Sequence, residues 1–277
     1  MKTINSLSGG KTSSYMAIHY PADFNIFAVV QIEDINCKPK DESIVKYASE
    51  KLGKDFIATA ESDQTLYAMR DLEQLLGQNI IWVGGDSFET VIKKHGNFIP
   101  NMGTRFCTTD MKIRPMAEYI YKNIIKDDQP IFSNVGIRYD EKERAKTTKE
   151  DRELRHKIIV GNRGTRNKWQ EVFWGVANYP LVYDRVTHYT IYKFWQGQGI
   201  KFPEDSNCVG CFWKDVQQLR KNYDDENSKM EWFNKAEIDS GHNWKSKISY
   251  EQIKKIGLQQ DFFFGTGSGC QAGFCTD

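Results

Sequence analysis

Thr3-Ile4-Asn5-Ser6-Leu7-Ser8-Gly9-Gly10-Lys11-Thr12-Ser13-Ser14-Tyr15-Met16 decides the fold. Residues 3–7 read as a short strand, 8–10 as a tight turn, and 11–19 as a helix with Tyr15, Met16, Ile18 and His19 available for one face. Strand, glycine turn and helix N-terminus together make an anion site. The glycines let backbone N–H groups turn inward, and the helix dipole adds partial positive charge. The hydroxyls of Ser8, Thr12 and Ser13 add donors, and Lys11 can meet a phosphate as a point charge. A Walker A loop is excluded, because Asn5 stands where that pattern needs its first glycine, and no G-x-G-x-x-G is present. In isolation the stretch also fits a generic capped strand-to-helix turn.

Outward from this loop, short apolar runs alternate with longer helical stretches. Residues 24–32 read as a buried strand, 41–52 as a charged helix, 55–60 as a strand and 64–76 as a helix. Residues 115–125 then read as a helix and 130–136 as a strand. This alternation predicts an α/β fold with a mainly parallel, doubly wound sheet covered on both faces.

The texture changes after about residue 140. Residues 141–155 interleave charges of both signs, which suits a loop or a solvated helix. Trp169, Phe173 and Trp174, at near-helical spacing, read as core rather than as a platform for stacked bases. Residues 216–223, 226–238 and 250–256 read as helices, and 265–277 form a glycine-rich tail carrying Cys270 and Cys275. With no internal repeat and no proline-rich linker, the expected division is an α/β domain over 1–214 and a helical, Cys-bearing extension over 215–277.

Composition narrows the class. The 277 residues carry 38 Lys+Arg against 37 Asp+Glu, a net charge of +1, so no global polycation is present to hold nucleic acid by charge alone. A local basic face around Arg138–Arg166 is nonetheless available to contact tRNA or DNA. Hydrophobic residues at 39% and aromatics at 13% suffice for a packed core. No apolar run approaches the roughly 18–20 residues that cross a bilayer, and residues 1–6 show no signal-peptide pattern, so a cytoplasmic, non-membrane protein is expected. Six cysteines are too sparse for a disulfide scaffold and point to metal ligation, redox chemistry or buried thiols.

Ser8-Gly9-Gly10-Lys11-Thr12-Ser13 resembles the pyrophosphate-binding PP-loop, S-G-G-x-x-S/T, of the ATP pyrophosphatase superfamily. That superfamily includes phosphoadenosine-phosphosulfate (PAPS) reductases and enzymes that adenylate a substrate before sulfur or nitrogen transfer. Three further stretches match the PAPS reductase family in order. Arg105-Phe106-Cys107-Thr108-Thr109-Asp110-Met111-Lys112-Ile113-Arg114-Pro115 resembles its R-[WC]-C-T-x-x-[LR]-K-x-x-P segment, concentrating Arg105, Lys112 and Arg114 before a helix. Val135-Gly136-Ile137-Arg138 through Arg144 is similar to its G-[IV]-R block, with Lys142 where a serine is frequent. Tyr179-Pro180-Leu181-Val182-Tyr183, followed by Cys208-Val209-Gly210-Cys211, resembles its P-[LI] stretch, helix and C-x-x-C. The matches span roughly residues 6–215.

The resemblance implies an adenine nucleotide α-hydrolase-like fold and an enzyme that cleaves Mg²⁺-bound ATP to AMP and pyrophosphate. Lys11, Lys112 and Arg138 would be catalytic. Ser8, Gly9, Gly10, Thr12, Ser13, Arg105, Arg114 and Arg144 would hold the nucleotide. A [4Fe-4S] cluster is implied on Cys107, Cys208 and Cys211. Phe106 replaces the first cysteine of the family's Cys-Cys pair, so Cys270 or Cys275 would complete the set. A structural Zn²⁺ site and ordinary loop thiols are the alternatives, and Cys37 reads as a core or loop thiol. A sulfur donor protein or a reductant would be the partner. PAPS reductases carry a nucleophilic cysteine in an E-C-G-x-H tail, whereas this tail has cysteine and glycine without the Glu and His. The other readings are therefore a PAPS or adenylyl-sulfate reductase with an unusual tail nucleophile, and a non-catalytic nucleotide-binding regulator.

Overall fold

The opening strand, β1 (Thr3–Leu7), buries every residue after Thr3 and lies inside a six-stranded sheet. The chain is seen here as a computed structural model that describes residues 2–125, 131–146 and 152–258. After β1 come α1 (Lys11–His19), β2 (Phe24–Ala28), β3 (Gln31–Ile32), α2 (Glu42–Leu52), β4 (Ala58–Thr59), α3 (Asp63–Leu76), β5 (Ile80–Val83) and α4 (Phe88–Lys94). A continuous helical run follows, made of α5 (Phe106–Thr108), a π-helical turn at Thr109–Ile113 and α6 (Arg114–Asn123). Next are β6 (Phe132–Asn134), α7 (Lys142–Lys146), β7 (Glu153–Arg163), β8 (Arg166–Asn178), α8 (Pro180–Tyr183) and α9 (His188–Gln196). Helices α10 (Val216–Asp225), α11 (Asn227–Ser240) and α12 (Tyr250–Lys255) end the described chain.

The sheet order is β5-β2-β1-β6-β8-β7, parallel throughout except for β7 against β8. Successive strand residues face opposite sides. Leu7 and Phe27 pack against Ile44, Val45 and Ala48 of α2 and Leu66, Met69 and Leu72 of α3. Ile4, Ile26 and Ala28 pack on the other face against Met116, Ala117 and Ile120 of α6. The sheet is thus mostly parallel and covered by helices on both sides. Asp41 and Ser62 cap α2 and α3, each accepting a backbone N–H two residues on. Left-handed Gly53 and Gly77 end the same helices.

A third core joins the two parts of the chain. Val30, Ile32, Ala58 and Phe88 pack with Leu219, Tyr223, Phe233, Trp244 and Tyr250 from the α10–α12 region.

Several expectations change in detail. The single strand expected over 24–32 is two, because β3 leaves the main sheet to pair antiparallel with β4. Strand β5 and helix α4 were not anticipated: Ile-Ile-Trp-Val is only four residues long and shows no alternation. Within 141–155 the described residues form α7 and the start of β7 rather than a loop or a single helix. Trp169, Phe173 and Trp174 lie on β8, not on a helix; Trp174 is buried, but Trp169 is 48% exposed.

Candidate functional site

The chain leaves β1 to build β2 and β5 on one side, then returns to build β6 and β8 on the other. Between β1 and β6 the strand order reverses, and open α/β sheets place their ligand crevice outside the carboxyl ends at such a point. Both loops leaving this point belong to stretches singled out in the sequence. Ser8-Gly9-Gly10 follows β1, and Val135-Gly136-Ile137-Arg138 follows β6.

The glycine loop is shaped by contacts that only glycine permits. Gly9 has φ +78°, and a Cβ there would fall 2.2 Å from Thr65 Cγ2. A Cβ on Gly10 would lie 2.7 Å from Ser206 Oγ. Ser13 ties the turn together: its Oγ accepts from Ser8 N at 3.1 Å, sits 3.1 Å from Ser8 Oγ and reaches Gly10 O at 3.2 Å. Helix α1 starts with no side-chain cap on Gly10, which leaves its first N–H groups to a ligand or solvent. The buried hydroxyls of Ser14 and Thr65 have no hydrogen-bond partner. A built, donor-rich turn at an uncapped helix start fits a phosphate chain. Lys11 is exposed at its rim, and its carbonyl accepts from Trp195 Nε1 at 2.9 Å.

Arg138 crosses from the β6 side, only 4% exposed, and its Nη1 donates to Thr12 Oγ1 at 3.4 Å. Its Nε lies 3.2 Å from Asp140 Oδ1, and its Nη2 lies 3.2 Å from Glu141 Oε1. Arg144 reaches the same Glu141 oxygen at 3.3 Å. The structure therefore brings Arg138 to Thr12 of the Ser8–Ser13 loop and joins Arg144 to it through Glu141, with Asp140 and Glu141 neutralising the arginines. Both carboxylates lie within the matched stretch Val135–Arg144, but the sequence assigned neither of them a role.

The basic triplet Arg105, Lys112 and Arg114 does not act as one patch. The π-helical turn coincides with a proline at 115 that cannot donate to the carbonyl four residues back. Lys112 turns inward, where its Nζ donates to Glu61 Oε1 at 2.8 Å. Arg105 lies over the Trp213 ring, 5.2 Å from its centroid. Arg114 bonds Asp110 at 2.6 Å and lies 5.0 Å from the Trp169 centroid, facing a broad groove that also includes Gly85, Lys94 and Glu118. Of the three, Lys112 alone borders the glycine loop: with Ser8, Leu7, Thr108 and Met116 it lines a cavity of about 20 Å³.

Beyond Lys112 is a half-buried cluster of thiols. Cys107, Cys208 and Cys211 come into mutual electrostatic reach there, beside Lys112 and Glu61. Burial holds the Cys107 thiol up to about 12, with Cys211 adding to the effect, and raises Cys208 and Cys211 as well. Burial disfavours the Lys112 ammonium, but Glu61 and the thiols outweigh it and the net shift is upward. Glu61 is fully buried, and its Oε2 has no partner. Nothing in its Ala60-Glu61-Ser62 context flags it; only a backbone bridge to Cys208 brings it here. Cys37 is buried in the third core, against which Cys107 and Cys208 also pack, and its thiol is pushed up to about 12 chiefly by burial.

The C-terminal helices hold the C-V-G-C loop. A Cβ on Gly210 would meet Phe233 at 2.3 Å, so α11 packs directly on the turn. Asn222 Nδ2 donates to Val209 O at 2.7 Å, and Tyr250 Oη donates to Gly210 O at 3.0 Å. Among the described residues, no three His, Cys, Asp or Glu side chains converge tightly enough to hold a metal ion. Cys270 and Cys275 lie outside the described residues. Cys107, Cys208 and Cys211 by themselves do not make a closed four-ligand centre.

No family model matches the chain, and no solved structure matches it. A stretch of 92 residues is 37% identical to an uncharacterized protein of Methanocaldococcus jannaschii, covering 31% of this chain and 18% of that protein. No helix of the described residues is long and apolar enough to cross a membrane.

Proposed function

We propose that this chain is a PP-loop enzyme of adenine nucleotide α-hydrolase-like fold that cleaves ATP to AMP and pyrophosphate, adenylating an acceptor for sulfur chemistry. The observation that carries the reading is the placement of the Ser8–Gly10 turn and Arg138 on opposite sides of one strand-order reversal, within hydrogen-bond reach through Thr12. The turn and the start of α1 would bind the β- and γ-phosphates. Mg²⁺ would be held mainly by the phosphates, with Asp140 a protein oxygen at the mouth. In the reaction, a lone pair of the acceptor forms a bond to the α-phosphorus while the bond to the β-phosphate oxygen breaks. Its electrons leave with pyrophosphate. Lys11 and Arg138 would balance the charge that develops, so positioning and electrostatics supply most of the acceleration.

Lys112 and the thiol cluster form the second half of the proposal. A sulfur donor protein or a reductant would act on the adenylated acceptor from the thiol side of the small Ser8–Lys112 cavity. Cytoplasmic placement belongs to the same reading.

The test is anaerobic calorimetric titration with ATP·Mg²⁺, PAPS and adenylyl sulfate, each mixture assayed for AMP and pyrophosphate. Preference for ATP, lost in Lys11→Ala, is expected. Preference for PAPS or adenylyl sulfate would make the protein a reductase, and nucleotide binding without AMP from any acceptor would make it a regulator.

A further inference from the structure

Strands β7 and β8 form a ribbon that the nucleotide site does not use. They pair antiparallel from Glu153↔Val176 to Arg163↔Arg166, whereas β8 pairs with β6 only over Val176–Asn178. About ten residues of β8 therefore run past β6; Val172 and Trp174 of these pack in the α6 core and Trp169 meets Arg114, so the free end is the turn and the residues next to it. Ile158 and Val172 fasten the root of the ribbon to the α6 core, but every described position from 164 to 171 is exposed.

Its charge is one-sided. Between Glu153 and Glu171 lie Arg155, Lys157, Arg163, Arg166 and Lys168, with no carboxylate. Among the described residues Lys157, Arg166 and Lys168 make no ion pair, while Lys214, Arg220, Lys221, Lys229, Lys254 and Lys255 each do. Unpaired lysines also occur elsewhere among the described residues, Lys40, Lys235 and Lys247 among them. Arg155 pairs with Glu153, and Glu171 stands opposite Lys157. What the ribbon adds is Arg166 and Lys168 close together at its exposed end, where they repel one another until an anion meets them.

The form of the ribbon selects the anion. Residues 161–167, Gly-Asn-Arg-Gly-Thr-Arg-Asn, contain no apolar side chain to enter a lipid surface. A two-stranded ribbon fits the roughly 12 Å major groove of B-DNA, whereas the deep, narrow major groove of A-form RNA does not admit side chains. Asn162, Thr165, Asn167 and Gln170 interleave amides and a hydroxyl with the cations, the groups that address base edges and phosphates. We propose that the β7–β8 ribbon is a duplex-DNA-binding arm. The inference does not depend on the nucleotide chemistry.

The test is fluorescence anisotropy of the full chain with a labelled duplex of about 20 base pairs, from roughly 50 to 200 mM salt. Lys157→Glu/Arg166→Glu/Lys168→Glu is compared with Lys40→Glu/Lys235→Glu/Lys247→Glu, which changes net charge equally on exposed positions elsewhere. The ribbon variant is expected to bind at least about 30-fold more weakly and to flatten the log–log salt slope by about 2–3. The control is expected to stay within about threefold. Arg166→Gln/Lys168→Gln, at the exposed tip, tests the same point with less risk to folding and is expected to flatten the slope by about 2. Equal loss in the two triple variants, no duplex binding by the wild type at about 10 µM protein, or tighter binding to duplex RNA would overturn the proposal. ATP titration of the same variants separates this outcome from failure of the pyrophosphatase reading.

Discussion

The crevice at the strand-order reversal and the thiol cluster behind Lys112 are separated by one small cavity, yet they are built on opposite electrostatic plans. The crevice is made of backbone groups, hydroxyls and glycines, with its charges at the mouth: Lys11 is exposed, and Arg138 is matched by Asp140 and Glu141. The other region sets the Lys112–Glu61 ion pair, its carboxylate fully buried, beside three half-buried thiols whose ionisation burial disfavours. An incoming polyanion finds donors already in place at the first. At the second, burial raises the thiols and so disfavours the thiolate. Lys112 is the physical link between them: its Nζ donates to Glu61, and it lines the small cavity with Ser8.

The largest effect should come from breaking the Lys112–Glu61 pair. Lys112→Met leaves the buried Glu61 carboxylate uncompensated and should cost about 3–5 kcal/mol in denaturant unfolding. Lys112→Met combined with Glu61→Gln should recover a large part of that loss. If the single and double variants unfold at the same denaturant concentration, the pair is not the electrostatic unit described.

In the crevice the sensitive position is Gly9. Gly9→Ala forces a Cβ against Thr65 at positive φ and should destabilise the protein by about 1–3 kcal/mol, with weaker ATP binding. Thr65→Ser removes the opposing methyl and should restore part of the stability, though not the cost of the backbone conformation. A double-mutant cycle by thermal melting measures that coupling, and strict additivity would contradict it.

Arg138→Ala tests the crevice without disturbing its turn. It should weaken ATP binding by about tenfold or more, the scale of a lost charge-assisted hydrogen bond of roughly 1.5–3 kcal/mol. Asp140→Asn should move affinity the other way for metal-free ATP, because it frees part of the guanidinium. Calorimetry with and without Mg²⁺ checks both, and unchanged affinity in both variants would remove Arg138 from the site.

The smallest effect concerns Cys37, in the third core. Its folded thiol is raised to about 12, above an unfolded value near 8.5. Its contribution is complete below the unfolded value and is lost as pH rises toward the folded one, by at most about 1.4 kcal/mol per pH unit. Melting between about pH 8 and 10.5 should therefore fall more gently for Cys37→Ala than for the parent chain.

Local signals made the first half of the chain legible. Residues 11–19 were read as a helix with the bounds they have, because a glycine turn precedes it and its apolar spacing is short-range information. Residues 41–52 and 64–76 were likewise read as helices, close to the bounds of α2 and α3, whose capping side chains only the structure showed. The β7–β8 ribbon was not legible although its pairing is local, Arg163 standing opposite Arg166 across Gly164-Thr165: its interleaved charges hide the strand period. Glu61 was invisible because its role comes from a bridge to Cys208, 147 positions on.

The sequence by itself determined the glycine turn, the helix that follows it, the alternation that makes a parallel sheet, and which cysteines and arginines were worth watching. These depend on backbone freedom and periodicity, which act over a few residues. Only the tertiary structure decided that Arg105, Lys112 and Arg114 part company, that Asp140 and Glu141 hold Arg138, and that the C-terminal helices brace the Cys208–Cys211 loop. Those outcomes depend on which buried charge finds which partner, and that choice is made by packing between distant segments rather than by neighbours in the chain.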